Sequence, residues 1–170
     1  GQKYYQNIRY KNFNWEHHMH RHPELLRIIE GTLVVEVDGR VEYASSGEYA
    51  LILSNQIHAF RSLTDTLVDV CVFSEDWASA FFKEIQNKKI RQSVFKCRPN
   101  VSSFINSELF LCDDKRPDFF MLKSMLYAVL NEYLTQIQFA ETSQTDEKVI
   151  EQLLLYVREN FTNNISLVNI

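Results

Sequence analysis

Between about residue 24 and residue 74, apolar side chains recur at every second position, and this alternation constrains the fold more than any other feature of the sequence. Leu33, Val35 and Val37 alternate with Val34, Glu36 and Asp38, and Val41 and Tyr43 return beyond Asp38-Gly39. Tyr49, Leu51 and Leu53 follow a second turn at Ser45-Ser46-Gly47, and a later segment sets Val68, Val70 and Val72 against Leu67, Cys71 and Phe73. A period of two sends successive side chains to opposite faces of a strand. Asp-Gly is a favoured hairpin turn because its two central positions take positive φ. Short strands separated by such turns predict a sandwich or barrel, so the chain reads as mainly β with helices toward its C-terminus.

The period then changes. From Asp76 to about Gln86, Trp77, Phe81, Phe82 and Ile85 fall at helical intervals, and a loop-rich stretch with Pro99 and Pro117 follows. Residues 118–139 predict the clearest helix, with Phe119, Leu122, Met125, Leu126, Val129, Leu130, Tyr133, Leu134 and Ile137 on an unusually wide apolar face. Either one side of that face covers the barrel while the other meets a second copy, or the whole face is packed into the core. Polar residues 141–145 read as a linker. In the next helix Asp146 and Glu147 sit in the first turn, and Val149, Ile150, Leu153, Leu154, Val157 and Phe161 form the stripe. Ser166 then looks like an N-cap for a stripe begun by Leu167 and Ile170, too short to be a stable helix, so the natural protein is expected to continue past Ile170. Gly1 in place of an initiator Met points to a processed start or a cloning scar. The expected organisation is a barrel over residues 1–75, a helical region over 76–140, a linker over 141–145 and the start of another unit over 146–170.

Composition removes several function classes. With 45% hydrophobic and 24% charged residues among 170, the chain is neither a disordered segment nor a disulfide scaffold. Its 18 Lys+Arg against 22 Asp+Glu leave a net charge of −4, a poor match to a phosphate backbone. The basic stretch Lys83, Lys88, Lys89, Arg91, Lys96 and Arg98 reads as a solvated face, with an auxiliary DNA contact as the sharper alternative. Cysteines 71, 97 and 112 are odd in number and fit no zinc spacing, as expected of free thiols in a reducing cytoplasm. No apolar run approaches the roughly 18 residues a membrane span needs, and no contact with a membrane is expected.

Four of the five histidines, at positions 17, 18, 20 and 22, lie within six residues. On a strand, His18, His20 and His22 would share one face with Glu24, and His17 would point the other way. Imidazoles and a carboxylate converging in a barrel suit Zn²⁺, Ni²⁺, Mn²⁺ or Fe²⁺, and His58 can join them from a neighbouring strand. A bound metal, the polar lining of a ligand pocket and a hydrogen-bonded structural cluster all remain open. His17 and His22 read as surface residues, and Trp15 either stacks on a ligand or belongs to the core.

The run His18-x-His20-x-x-x-Glu24-x6-Gly31 resembles the first cupin motif, and Gly47 followed eleven positions later by His58 resembles the second. Asn12 stands where the first motif usually opens with Gly, and Leu53, Asn55 and Ser62 replace the Pro, Gly and Asn of the second. Asn55-Gln56-Ile57-His58 is similar to the phrasing common in sensor cupins of arabinose-regulator-like (AraC-type) transcription factors. Glu147-Lys148-Val149-Ile150 through Tyr156-Val157-Arg158-Glu159-Asn160-Phe161, then Ile165-Ser166-Leu167, resembles the opening of the AraC-type helix-turn-helix domain. The resemblance implies a cupin-type double-stranded β-helix (jelly-roll) barrel followed by a long dimerisation helix at 118–139, with 146–170 the truncated start of the DNA-binding domain. It also implies a small-molecule effector, a sugar or other small organic compound, and a cytoplasmic homodimer. The family's metal-ligand positions fall on His18, His20, Glu24 and His58, which with Trp15 are the candidate ligand-binding residues. Residues 146–170 hold only Lys148 and Arg158 against Asp146, Glu147, Glu151 and Glu159, so contact with DNA is expected through a missing C-terminal part. The chain is then no enzyme. The rival expectation is a small metal-dependent cupin enzyme of dioxygenase or isomerase type with a site of three histidines and one glutamate.

Overall fold

The alternating segments become strands in the computed structural model, which describes residues 4–110, 118–137 and 139–140. In chain order they are β1 (Tyr5–Lys11), β2 (Trp15–His18), β3 (Glu24–Glu30), β4 (Thr32–Val37), β5 (Arg40–Ser45), β6 (Glu48–Ile52), β7 (His58–Ser62) and β8 (Leu67–Phe73). A 3-10 turn (Glu75–Ala78) runs into α1 (Ser79–Ile85), followed by β9 (Lys89–Ile90), β10 (Val94–Lys96), α2 (Pro99–Asn106), α3 (Phe119–Gln136) and β11 (Phe139–Ala140). The described residues up to Gln86 and from Ile90 to Ile137 form one compact unit, and 87–89 with Phe139–Ala140 belong to a second. Within the second, Lys88 Nζ lies 4.5 Å from the centre of the Phe139 ring.

The first unit is mostly β. One antiparallel sheet has the order β1-β8-β3-β6-β10 and the other β2-β7-β4-β5. Between them lies an apolar core in which Leu26, Ile28, Ala50, Ile52, Val68 and Val70 of the first sheet meet Leu33, Val35, Val37, Ala44 and Phe60 of the second. The outer face of the first sheet is covered as well. Leu25, Tyr49, Leu51, Cys71 and Phe73 pack there with Trp77, Phe81, Leu126, Val129 and Tyr133 of the helical layer. A sheet buried on both faces needs apolar side chains at successive positions, as Leu25-Leu26 of β3 and Tyr49-Ala50-Leu51-Ile52 of β6 supply.

Two turns lock the register. At the β4–β5 hairpin Asp38 and Gly39 have φ of 49° and 74°, the pair of positive values a two-residue turn of this kind requires. Gly31, with φ of 78°, is confined further: a Cβ there would sit 2.1 Å from the carbonyl oxygen of Asp65. The glycine of the first motif is therefore a packing requirement between two loops.

The stretch expected to be loop-rich carries structure. β10 pairs with β6 at the edge of the first sheet, and Pro99 stands at the start of α2, where its missing N–H costs nothing. α3 is capped by Asp118, whose side chain accepts from the backbone N–H groups of Phe120 and Met121. It ends before residue 139 because Ile137 turns extended, its N–H donating to the Tyr133 carbonyl. Its wide apolar face is largely used within the chain, with Leu122, Met125, Leu126, Val129, Leu130 and Tyr133 all buried. Glu132, also buried, accepts from Arg98 Nε at 2.8 Å and Nη2 at 2.6 Å and so fastens α3 to the start of α2. From the basic stretch, Arg98 is thus paired, and Lys96 Nζ lies 3.4 Å from Glu48. Cys71 and Cys97 are free thiols, and burial pushes Cys97 up to about 12. Cys112, the linker at 141–145 and the helix-turn-helix opening at 146–170 lie outside the described residues. Among the described residues no helix is long and apolar enough to cross a membrane.

Candidate functional site

β2 and β7 pair at one edge of the second sheet, with Trp15 opposite Phe60 and His18 opposite His58. Three steps along β2 therefore match two along β7, which marks a β-bulge with one extra residue. Strict alternation would send Trp15 and His18 to opposite faces. The bulge brings both against the inward-facing side chains of β7, and their rings lie 5.8 Å apart. β2 ends at His18, so His20 and His22 sit in the connection to β3 rather than on the strand expected from their spacing. Glu24 opens β3 beside Ile52 of β6 and Val72 of β8, at the same end of the barrel.

His18, His20, Glu24 and His58 converge there, each offering one ligand atom, all within 4.8 Å of one another. Two of the rings are oriented the same way. His18 Nδ1 donates to the Glu16 carbonyl at 2.8 Å and His58 Nδ1 to the Gln56 carbonyl at 2.8 Å, which leaves each Nε2 with its lone pair. His20 Nε2 donates to Glu24 Oε1 at 3.0 Å. Glu24 Oε2 is 3.7 Å from His58 Nε2, a charge contact too long for a hydrogen bond. Burial pushes the Glu24 carboxyl up, but the hydrogen bond from His20 and the nearness of the His58 and His20 rings outweigh it and lower it to about 2. The bond to Glu24 raises His20 in turn, against the smaller opposing effect of burial.

Three buried polar atoms of this cluster have no hydrogen-bond partner: His20 Nδ1, Glu24 Oε2 and His58 Nε2. Leaving such atoms unpaired typically costs about 1–3 kcal/mol each, so their concentration at one point calls for a ligand. A divalent ion fits the donor set. Ligand atoms about 2.0–2.2 Å from a shared ion lie roughly 3–4.4 Å from one another, close to the spacing here, and imidazole with carboxylate suits the borderline metals Zn²⁺, Ni²⁺, Mn²⁺ and Fe²⁺.

The other candidates separate. His17 Nε2 pairs with Glu36 at 3.0 Å on the outer face of the second sheet, and His22 stacks on Tyr4 with ring centres 4.9 Å apart. Trp15 is 48% exposed and stands 6.2 Å from both Tyr10 and Phe13. Tyr10, Phe13 and Phe60, which the sequence reading did not single out, form an aromatic wall next to the histidines, with Tyr10 stacked on Phe13 at 4.6 Å and Phe13 on Phe60 at 4.9 Å. Burial raises the Tyr10 phenol, and the charge of Glu24 adds to the shift. Phe60 was readable, because it follows His58 by two on the same strand face.

Residues 12–73 match the cupin domain family, so the segment from the end of β1 through β8 is a cupin-type domain containing all four converging side chains. No curated protein sequence matches the chain. Among solved structures, ToxT from Vibrio cholerae is similar in fold, with 14% identity over 97% of this chain and 68% of that one and a TM-score of 0.56. ToxT from strain O395 gives 13% identity over 97% and 67% with a TM-score of 0.56. An RmlC-like cupin from Shewanella frigidimarina aligns over 40% of this chain and 66% of its own at 19% identity and a TM-score of 0.36.

Proposed function

We infer that this chain is the effector-sensing and dimerisation part of a bacterial AraC-type transcription regulator of the cytoplasm, holding a small organic effector, with sugars as candidates, at the histidine end of its barrel. The observation that carries this reading is architectural. The resemblance implies a cupin barrel followed by a long helix, and α3 is such a helix, 18 residues long and packed in the layer over the first sheet. The likeness in fold to ToxT supports it by running over 97% of the chain, well beyond the cupin segment.

His18, His20, Glu24 and His58 would hold a divalent ion, which supplies a Lewis-acidic anchor for a hydroxyl or carboxylate oxygen of the effector. The chain's own groups do the rest. The Nδ1 bonds to Glu16 and Gln56 fix two rings, Glu24 contributes the negative charge, and half-buried Tyr10 and exposed Trp15 offer a face to an apolar ligand, backed by buried Phe13 and Phe60. A physical route leads outward from this end: β3 turns Glu24 toward the barrel and the next residue, Leu25, into the cluster that contains α3. An effector acts through this route only by binding two arrangements unequally, a coupling of about 1–3 kcal/mol in typical regulators. Tyr127 and Leu134 of α3, with Ala80, Phe81 and Glu84 of α1, line a shallow groove of about 380 Å³, the surface this reading assigns to contact with a second copy. DNA is reached through the helix-turn-helix part.

One observation favours a second reading. The same donor set, three histidines and a carboxylate with unpaired atoms, equally suits a small metal-dependent enzyme of dioxygenase or isomerase type. The deciding experiment is to load the chain with each of the four metals and screen monosaccharides and small carboxylic acids by calorimetry and by product analysis. The sensor reading expects saturable binding with the ligand recovered unchanged. Turnover of any bound compound by the metal-loaded chain overturns it in favour of the enzyme.

A further inference from the structure

The outer face of the second sheet is more apolar than a solvent face of an antiparallel sheet ordinarily is. β5 presents Val41 and Tyr43 outward, 52% and 60% exposed, while Val34 of β4 on the same face is buried at 6%. In the register Val34 lies between Tyr43 and Arg61, and Glu36 between Val41 and Ala59, so an apolar strip runs beside a floor made by the small Ala59. This face forms a groove of about 310 Å³, with half-exposed Trp15 at its edge. Ile57 and Leu63, just outside the two ends of β7, are each 52% exposed and extend the patch. Exposed apolar side chains gathered in this way mark an interaction surface.

The charges identify the occupant. Glu36 is taken by His17, but Arg61 and Glu16, which line the same groove, have no ion-pair partner among the described residues, and they do not pair with each other. An acidic or a basic partner would call for one sign on this face, whereas the groove carries one unpaired charge of each sign. We propose that this face packs against the same face of a second copy of the chain. In a two-fold contact each residue meets its counterpart's partner reciprocally, so Arg61 of each copy meets Glu16 of the other, twice over, beside an apolar contact made by Val41 and Tyr43. This interface involves no residue of α3 and stands apart from the helix pairing of the sensor reading.

The test is sedimentation equilibrium on the 170-residue chain and two charge reversals, Arg61→Glu and Glu16→Arg, both at exposed positions away from the core. Each reversal places like charges opposite each other at two points and is expected to weaken self-association about tenfold or more. An equimolar mixture of the two variants makes both contacts attractive again in the mixed dimer, and association returns toward that of the unaltered chain. Variants that associate as tightly as the parent, a mixture no tighter than its components, or a monomeric parent each overturn the proposal. Leu134→Glu in the α3 groove is the control for the other contact. If it abolishes association while both charge reversals leave it intact, the dimer belongs to α3 and the sheet interface is wrong.

Discussion

Asp69 and Glu24 both sit in β strands with their carboxylates buried among basic side chains, yet one is fully partnered and the other is not. Asp69 takes Arg9 in a two-pronged contact, Nε at 2.6 Å from one oxygen and Nη2 at 3.1 Å from the other, and Arg27 adds a charge at 3.8 Å. Glu132 is completed by Arg98 alone, whose guanidinium donates twice to Oε1 and whose backbone N–H donates to Oε2. Glu24 receives a hydrogen bond on Oε1 only, and Oε2 faces His58 Nε2 across 3.7 Å with neither atom satisfied. Guanidinium forks close the valences of a carboxylate and leave nothing for a ligand, while imidazoles fixed through Nδ1 keep a lone pair directed at a shared point. The first arrangement holds elements together, and the second leaves donor atoms unpartnered.

That contrast breaks most visibly at Asp69. Asp69→Ala leaves two cations facing the space of a fully buried carboxylate and should cost about 3 kcal/mol in urea denaturation, the low end for a pair broken on one side because Arg9 is half exposed. Glu24→Gln should cost less stability than that in the ion-free chain but lower divalent-ion affinity by more than the roughly 10–100-fold typical of losing an outer-shell partner, as read by calorimetry. A loss of stability as large as for Asp69→Ala with unchanged affinity would reverse the two assignments.

Acidity sharpens the comparison. Glu24 is lowered from 4.5 to about 2, so its contribution is present above 4.5 and lost as pH falls toward 2. His20 is raised from 6.5, so its contribution is present below 6.5 and lost as pH rises through its folded value. Together they support the ion-free chain most between about 4.5 and 6.5, and Glu24→Gln should flatten that hump in a series of melting curves. Glu132, held below its usual range chiefly by the hydrogen bond from Arg98, gives no such hump, since its contribution is lost on acidification alone. The smallest effect belongs to the surface pair: His17→Ala, which removes the contact to Glu36, should change stability by no more than about 0.5 kcal/mol.

Much of the site was legible because ligand spacing survives in sequence. His18, His20 and Glu24 lie close along the chain, and His58 follows a glycine-marked turn, so the four could be grouped before any strand was placed. The bulge in β2 could not be read, because one extra residue in a strand leaves no compositional mark, and with it the approach of Trp15 to His18 stayed hidden. The aromatic wall was missed for a different reason: Tyr10 and Phe13 precede the motif, in a segment where periodicity is weak. The strands were legible from their alternation, but the burial of the first sheet on both faces was not, since what covers its outer face comes from later in the chain. Pro99 was read as a breaker although it opens α2, since a proline suits both a loop and the first turn of a helix. The width of the α3 stripe came from contacts with the sheet, α2 and the 3-10 turn, which a helical wheel cannot distinguish from a second copy.

The account of the histidine site depends on its four converging side chains taking one ion between them, and Trp15 provides a direct reporter. It is one of two tryptophans, 5.8 Å from His18, whereas Trp77 is buried in the helical layer. Titration of the metal-free chain with Ni²⁺ should quench the Trp15 emission with one equivalent per chain, and the quenching should vanish in Trp15→Phe and in the double variant His18→Ala with His58→Ala. Quenching that never saturates, or that persists unchanged in the double variant, would contradict the account.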